Sequence, residues 1–270
     1  YYRRLDREGV GENIGLFMRI ISWNTFGIRT ALPNLQKMLG SCTPDIVCLQ
    51  ETKVRTRYAN FDFKGYRQYW NESTDFAHLG TALLSKSSSL ISVTYDNFDA
   101  YYDKGNVIVT ELKEIYVVCV YVPYAGATAT TRDNRHHWYK CFQSLIHQLQ
   151  QNKPCVICGD FNVVQQDIDA WDKAVINTSL ACFSKEERAE IGRFVQEEQL
   201  IDVYRCLYPS TKSEGFTYFP FGSDYRKDKK GYRIDLFLIS KQLISKVVDC
   251  CPLQDVEGSC NVPLLLDIDI

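Results

Sequence analysis

The stretch Cys155-Val-Ile-Cys-Gly-Asp-Phe-Asn162 constrains this chain more than any other. Its apolar run, Cys155 to Cys158, reads as a short buried strand cut off by Gly159. Asp160 and Asn162 follow, a carboxylate and an amide at a spacing of two. If extended geometry carries on through Asn162, both side chains project to the same side of the backbone. A buried strand ending in oxygen ligands puts chemistry at its C-terminal edge, where open α/β sheets hold their sites. Gly-Asp is equally good turn chemistry, so the other segments have to decide between a turn and a site.

Those segments repeat the pattern. Residues 19–24 (Arg-Ile-Ile-Ser-Trp-Asn) read as a strand, and Leu32, Leu35, Met38 and Leu39 follow at helical spacing. Residues 46–51 then form an apolar strand ending in Glu51, which completes an α/β unit. Further strands are expected at 81–85, 107–111, 115–122, 217–219, 233–239 and 262–270. A helix is expected over 132–151, with Trp138, Phe142, Leu145, Ile146 and Leu149 on one face. Ser184 and Glu187 form a capping box before a second helix carrying Ile191, Phe194 and Val195. Strands and helices are spread evenly, so residues 18–270 read as one α/β domain of stacked sheets and outer helices, preceded by a solvated tail at 1–17.

Composition excludes several classes. A net charge of −2 over 270 residues provides no global field for nucleic acid, so binding of that kind needs a local patch. No apolar run approaches the roughly 18 residues of a membrane span, and no membrane partner is expected. The eleven cysteines are odd in number and scattered through apolar runs, which points to reduced intracellular thiols. Cys155 and Cys158 would face opposite sides of a strand, which argues against a shared metal.

Polar residues end strand after strand, in the order Trp-Asn24-Thr-Phe-Gly-Ile-Arg, Leu-Gln-Glu51-Thr-Lys, Gly-Thr-Ala-Leu-Leu-Ser-Lys, Tyr121-Val-Pro, Gly-Asp160-Phe-Asn162 and Gly-Tyr-Arg-Ile-Asp235. This order resembles the exonuclease III / apurinic-apyrimidinic (AP) endonuclease branch of the endonuclease–exonuclease–phosphatase superfamily, from about Arg19 onward. Ile168-Asp169, the Ser184 helix and Leu207-Tyr208-Pro209 belong to the resemblance as well. It implies a deoxyribonuclease I-like, four-layered α/β sandwich in which two packed mixed sheets are flanked by helices. It also implies Mg²⁺-dependent cleavage of DNA phosphodiesters in base excision repair. Glu51 matches the family's main metal ligand, with Asn24 near it. Asp160 matches the group that activates water, and Asn162 and Tyr121 match phosphate-contacting residues. Asp235 matches the aspartate that orients a catalytic histidine.

The closing motif departs from that pattern. Gly258-Ser259-Cys260-Asn261-Val262-Pro263 stands where the family has Gly-Ser-Asp-His-x-Pro. Cys260 therefore replaces an acid near the metal, and Asn261 replaces the histidine. Phe26, Tyr124 and Ala127 also depart from it. The four histidines, His78, His136, His137 and His147, lie far from the motif in sequence. A neutral amide donates a hydrogen bond but supplies no proton, a loss worth about 10²–10⁴ in rate. Cys260 offers soft sulfur to a hard cation. The expectation is a Mg²⁺ site that is weak or lost and an Asp235 with nothing to orient.

The loop 224–233 reads either as a solvated charge run or as a phosphate contact through Arg226, Lys227, Lys229, Lys230, Tyr232 and Arg233. Three readings follow: an impaired nuclease that still binds nucleic acid, chiefly duplex DNA; a working Mg²⁺-dependent AP endonuclease or 3′-exonuclease; or a structural subunit among the proteins of a larger complex.

Overall fold

The computed structural model describes residues 17–73, 79–96, 105–126, 128–176, 180–221 and 224–270. The tail 1–16, His78 and Ala127 lie outside them. The strands are β1 (Met18–Asn24), β2 (Ile46–Gln50), β3 (Arg67–Asn71), β4 (Thr81–Ser85), β5 (Leu90–Asp96), β6 (Val107–Leu112), β7 (Tyr116–Tyr121), β8 (Cys155–Asp160), β9 (Leu200–Asp202), β10 (Asp235–Ser240), β11 (Val247–Pro252) and β12 (Leu264–Ile268). The helices are α1 (Ile28–Cys42), α2 (Ala129–Gln150), α3 (Lys173–Ile176), α4 (Lys185–Glu197) and α5 (Val203–Leu207).

One sheet has the order β11-β12-β1-β2-β4-β3 and the other β5-β6-β7-β8-β10-β9. Both are mixed, with β1 parallel to β2 and β7 parallel to β8 inside otherwise antiparallel surroundings. Side-chain alternation along each strand builds three cores. Ile20, Cys48 and Leu83 meet Val117, Cys119, Cys158 and Phe237 between the sheets. Ile21, Trp23, Val47 and Leu49 pack against Leu35 and Met38 of α1. Val118, Val120, Ile157 and Leu236 pack against Trp138, Phe142 and Phe194 of α2 and α4. The result is a four-layered α/β sandwich. Cys155 and Cys158 fall in different cores, and the eleven cysteines are free thiols.

Several boundaries differ from expectation. α2 starts earlier, because Thr128 Oγ1 accepts from Thr131 N and caps it there. Residues 217–219 are no strand: Tyr218 makes only isolated bridges, to Tyr232 and Asn261. Only half of the expected capping box forms. Ser184 Oγ accepts from Glu187 N, but the Glu187 carboxylate turns inward to within 3.7 Å of Arg135.

Candidate active site

Topology gathers the polar strand ends. Parallel pairing sets Asn24 beside Gln50, one residue before Glu51, and Tyr121 beside Asp160. Antiparallel pairing of β10 on β8 sets Asp235 opposite Asp160. β12 runs antiparallel to β1, which returns Asn261 to the same edge. Gly159 lets β8 lie close against β7: a Cβ there would lie 1.7 Å from the Val120 carbonyl oxygen. The strand stops at Asp160, and Asn162 adopts φ +52°. Extended geometry therefore does not place these two side chains on one side. Instead Asn162 N donates to Asp160 Oδ1 at 2.8 Å, and Asn162 Nδ2 donates to the Val122 carbonyl.

Asn24 is the hub. Its amide nitrogen donates to Glu51 Oε1 and to Asp160 Oδ2, both at 2.8 Å, while its oxygen accepts from Phe26 N. Asn261 Nδ2 donates to Asp235 Oδ2 at 2.8 Å. Asp235 thus does have a group to orient, and that group is the amide standing in the histidine's place. The closing loop is pinned by Trp23 Nε1 donating to the Asn261 carbonyl and by Ser259 Oγ donating to the Asn24 carbonyl.

The electrostatics are lopsided. Asp160 and Asp235 are buried. Burial pushes Asp160 up to about 7 against the bonds from Asn24 and Asn162, with Glu51 adding to the rise. Asp235 is held well above the usual carboxylate range by burial and then by Asp160, and its Oδ1 has no hydrogen-bond partner. Burial, then Glu51 and Asp160, likewise raise the Tyr121 phenol. Burial moves the Cys260 thiol up to about 11, so it is neutral at ordinary pH. The cation at hand is Lys53, a residue the sequence reading passed over; its Nζ lies 3.0 Å from Glu51 Oε2. With both Asn24 donors spent on Glu51 and Asp160, such a cluster can hold an anionic oxygen with the Asn261 amide and the Lys53 ammonium, and can take a proton at Asp160. Among the described residues it offers no imidazolium, since His136, His137 and His147 all sit on α2.

Magnesium requires about six hard oxygen ligands in near-octahedral order. Here both Glu51 oxygens are engaged, by Asn24 and by Lys53. Both Asp160 oxygens accept hydrogen bonds, and Asn24 turns its nitrogen to the carboxylates. Phe26, Cys260 and Asn261 add no carboxylate, and among the described residues no group of three His, Cys, Asp or Glu side chains is placed to hold a metal ion. Glu51 is thus the carboxylate at the expected metal position, and its oxygens are held by Asn24 and Lys53.

The basic loop needs correction at three of its expected contacts. Arg233 is buried, bonded to both Asp169 and Asp202. Tyr232 is buried, edge-on to Phe183 and stacked on Tyr218. The Arg226 guanidinium donates to the Gln254 and Val256 carbonyls. These side chains hold the fold rather than present charge. Lys227 is exposed, and Lys229 and Lys230 pair at the surface with Glu214 and Asp228.

The chain belongs to the Endonuclease/Exonuclease/phosphatase family, whose model matches residues 21–257, and within it to the exonuclease III / AP endonuclease branch. It is similar to the exodeoxyribonuclease of Bacillus subtilis, 32% identical over 94% of this chain and 100% of the relative. It is also similar to the DNA-(apurinic or apyrimidinic site) endonuclease of Dictyostelium discoideum, 32% identical over 98% of this chain and 74% of the relative. The fold matches the crystal structure of an AP endonuclease from Leishmania major with a TM-score of 0.84 and 24% identity, over 94% of this chain and 88% of that one.

Proposed function

We propose that this protein is a catalytically impaired nuclease of the AP endonuclease type that retains DNA binding, with duplex DNA as its first partner. The observation that carries this reading is the Asn261–Asp235 bond. It keeps the geometry of an acid–base pair while replacing its titrating member by an amide that has no proton to give. Glu51, committed to Asn24 and Lys53, supports the companion reading that Mg²⁺ binds weakly or not at all. The names of the relatives support DNA as the polymer. The family match supports treating 18–270 as one domain, and the free thiols fit a reducing compartment. No helix among the described residues is long and apolar enough to cross a membrane.

A working Mg²⁺-dependent AP endonuclease is the second reading. The near-neutral Asp160 favours it, since a base is most effective when its pKa lies near the operating pH. The double change Cys260→Asp with Asn261→His separates the two. Under the impaired reading the wild type leaves an abasic duplex intact, and the double variant gains EDTA-sensitive cleavage of about 10²-fold or more. Wild-type cleavage abolished by Asp160→Asn would establish the second reading in its place.

A further inference from the structure

Phe26, standing where the family pattern carries an acid, is 45% exposed, and beside it Phe221 is 71% exposed. Their ring centroids are 5.3 Å apart with planes inclined at 56°. Lone exposed apolar side chains need no explanation, but this pair is continuous with a concentration of positive charge. Lys53 Nζ lies 3.4 Å from the Phe26 centroid. Lys53 also lines a cavity of about 400 Å³ together with Arg29, Val54, Arg55, Arg57 and Tyr58. That volume falls within the roughly 300–1,000 Å³ of small-ligand pockets. The Arg57 guanidinium lies 4.8 Å from the Tyr58 ring and that of Arg29 5.8 Å from the Phe61 ring. Among the described residues, no carboxylate belongs to this lining, and Lys53 reaches out of it to pair with Glu51 at 3.0 Å. In a chain of net charge −2, such an accumulation is local and concave, and it adjoins the polar cluster through Lys53.

We propose that Phe221, braced by Phe26, and the adjoining basic cavity form a subsite for one unpaired nucleotide of single-stranded DNA. The base stacks on the Phe221 ring, and the phosphate sits among Arg29, Lys53 and Arg57. This rests on the DNA-binding reading above and adds a preference for unpaired DNA. Inside a duplex the base faces are covered by their neighbours, so an exposed aromatic ring gains a stacking partner only from a base that has left the stack. The cations supply the sequence-independent phosphate contact that any strand provides. No residue of the 224–233 loop takes part, and the two regions are separable by mutation.

The test compares fluorescence anisotropy titrations of one labelled duplex, blunt-ended or carrying a short single-stranded extension. The extended duplex should bind the wild type about 5- to 100-fold more tightly, as stacking of a base on an aromatic ring provides. Phe221→Ala should bring the ratio of the two affinities close to one, and Phe221→Trp should preserve it. Arg57→Gln should weaken binding of both and reduce the salt slope by about one. A wild-type ratio of one, or a ratio that survives Phe221→Ala, overturns the subsite while leaving duplex binding in place. Failure of both duplexes to bind at all overturns the DNA-binding reading and the subsite together.

Discussion

Two buried charge clusters lie close together in this sequence and behave in opposite ways. In the first, Asp169 and Asp202 meet Arg205 and Arg233. Burial alone would raise Asp169, but the guanidiniums outweigh it and hold the carboxylate below its usual range. In the second, Glu51, Asp160 and Asp235 converge with Lys53 as the cation at hand. There burial and mutual repulsion raise Asp160 and Asp235, and one Asp235 oxygen is left without a partner. Arg233 and Asp235 differ by one residue between them, yet one balances charge and the other concentrates it. Balanced clusters hold a fold together. Clusters of one sign cost stability in the folded state and are where ligand or proton chemistry is expected.

The largest effect should come from breaking the balanced cluster. Arg233→Met leaves Asp202 without its guanidinium and Asp169 with Arg205 alone, and should lower unfolding free energy by about 3–5 kcal/mol, measured by urea denaturation at pH 7. A loss under about 1 kcal/mol would mean that the pairing is not what holds this corner.

The acid-rich cluster should behave in the opposite sense. Because the folded value of Asp160 is raised, its favourable contribution is complete below the unfolded value of about 3.9. That contribution is lost as pH rises through about 7. The stability of Asp160→Asn relative to wild type should therefore climb between pH 4 and pH 8, on the order of 2–4 kcal/mol across that window. A flat difference would show that the acids are not in conflict.

Glu187 and Glu190 around Arg135 form an intermediate case, two acids on one guanidinium. Burial, opposed by Arg135 and aided by Glu190, takes Glu187 up to about 7. Glu187→Gln should show the same direction with a smaller amplitude, a gain at pH 8 and none at pH 4, in parallel thermal melts. The smallest effect belongs to the surface: Lys230→Gln removes an exposed pair with Asp228 and should move stability by less than about 0.5 kcal/mol.

Much of the acid-rich cluster was legible in the sequence because its residues border apolar runs, Asp235 standing before one and the others after theirs. Asn24, Glu51, Tyr121, Asp160 and Asp235 mark the ends of strands, and strand ends meet at a sheet edge whatever the loops between them do. The balanced cluster was not legible. Arg233 reads as part of a basic loop, and only tertiary structure brings Asp169, Asp202 and Arg205 to it. Lys53 escaped for a related reason, since the left-handed turn at Glu51, φ +46°, is what lets a residue two positions on return to the same carboxylate. Among the strands, β3 and β5 lack a clean alternation, because they pack only partly against the core. A spacing of two puts Asp160 and Asn162 on one face only while the chain stays extended, and the left-handed backbone at Asn162 ends that condition.

Under the proposed function, the site keeps its architecture and its DNA but has lost its acid. The most direct measurement is single-turnover assay of one abasic duplex with excess wild-type protein, following binding and strand scission together, with Mg²⁺ and with EDTA. The account predicts a bound duplex that stays intact in both. Mg²⁺-dependent scission at about 1 s⁻¹ or faster, within the ordinary range of enzyme turnover, would contradict it.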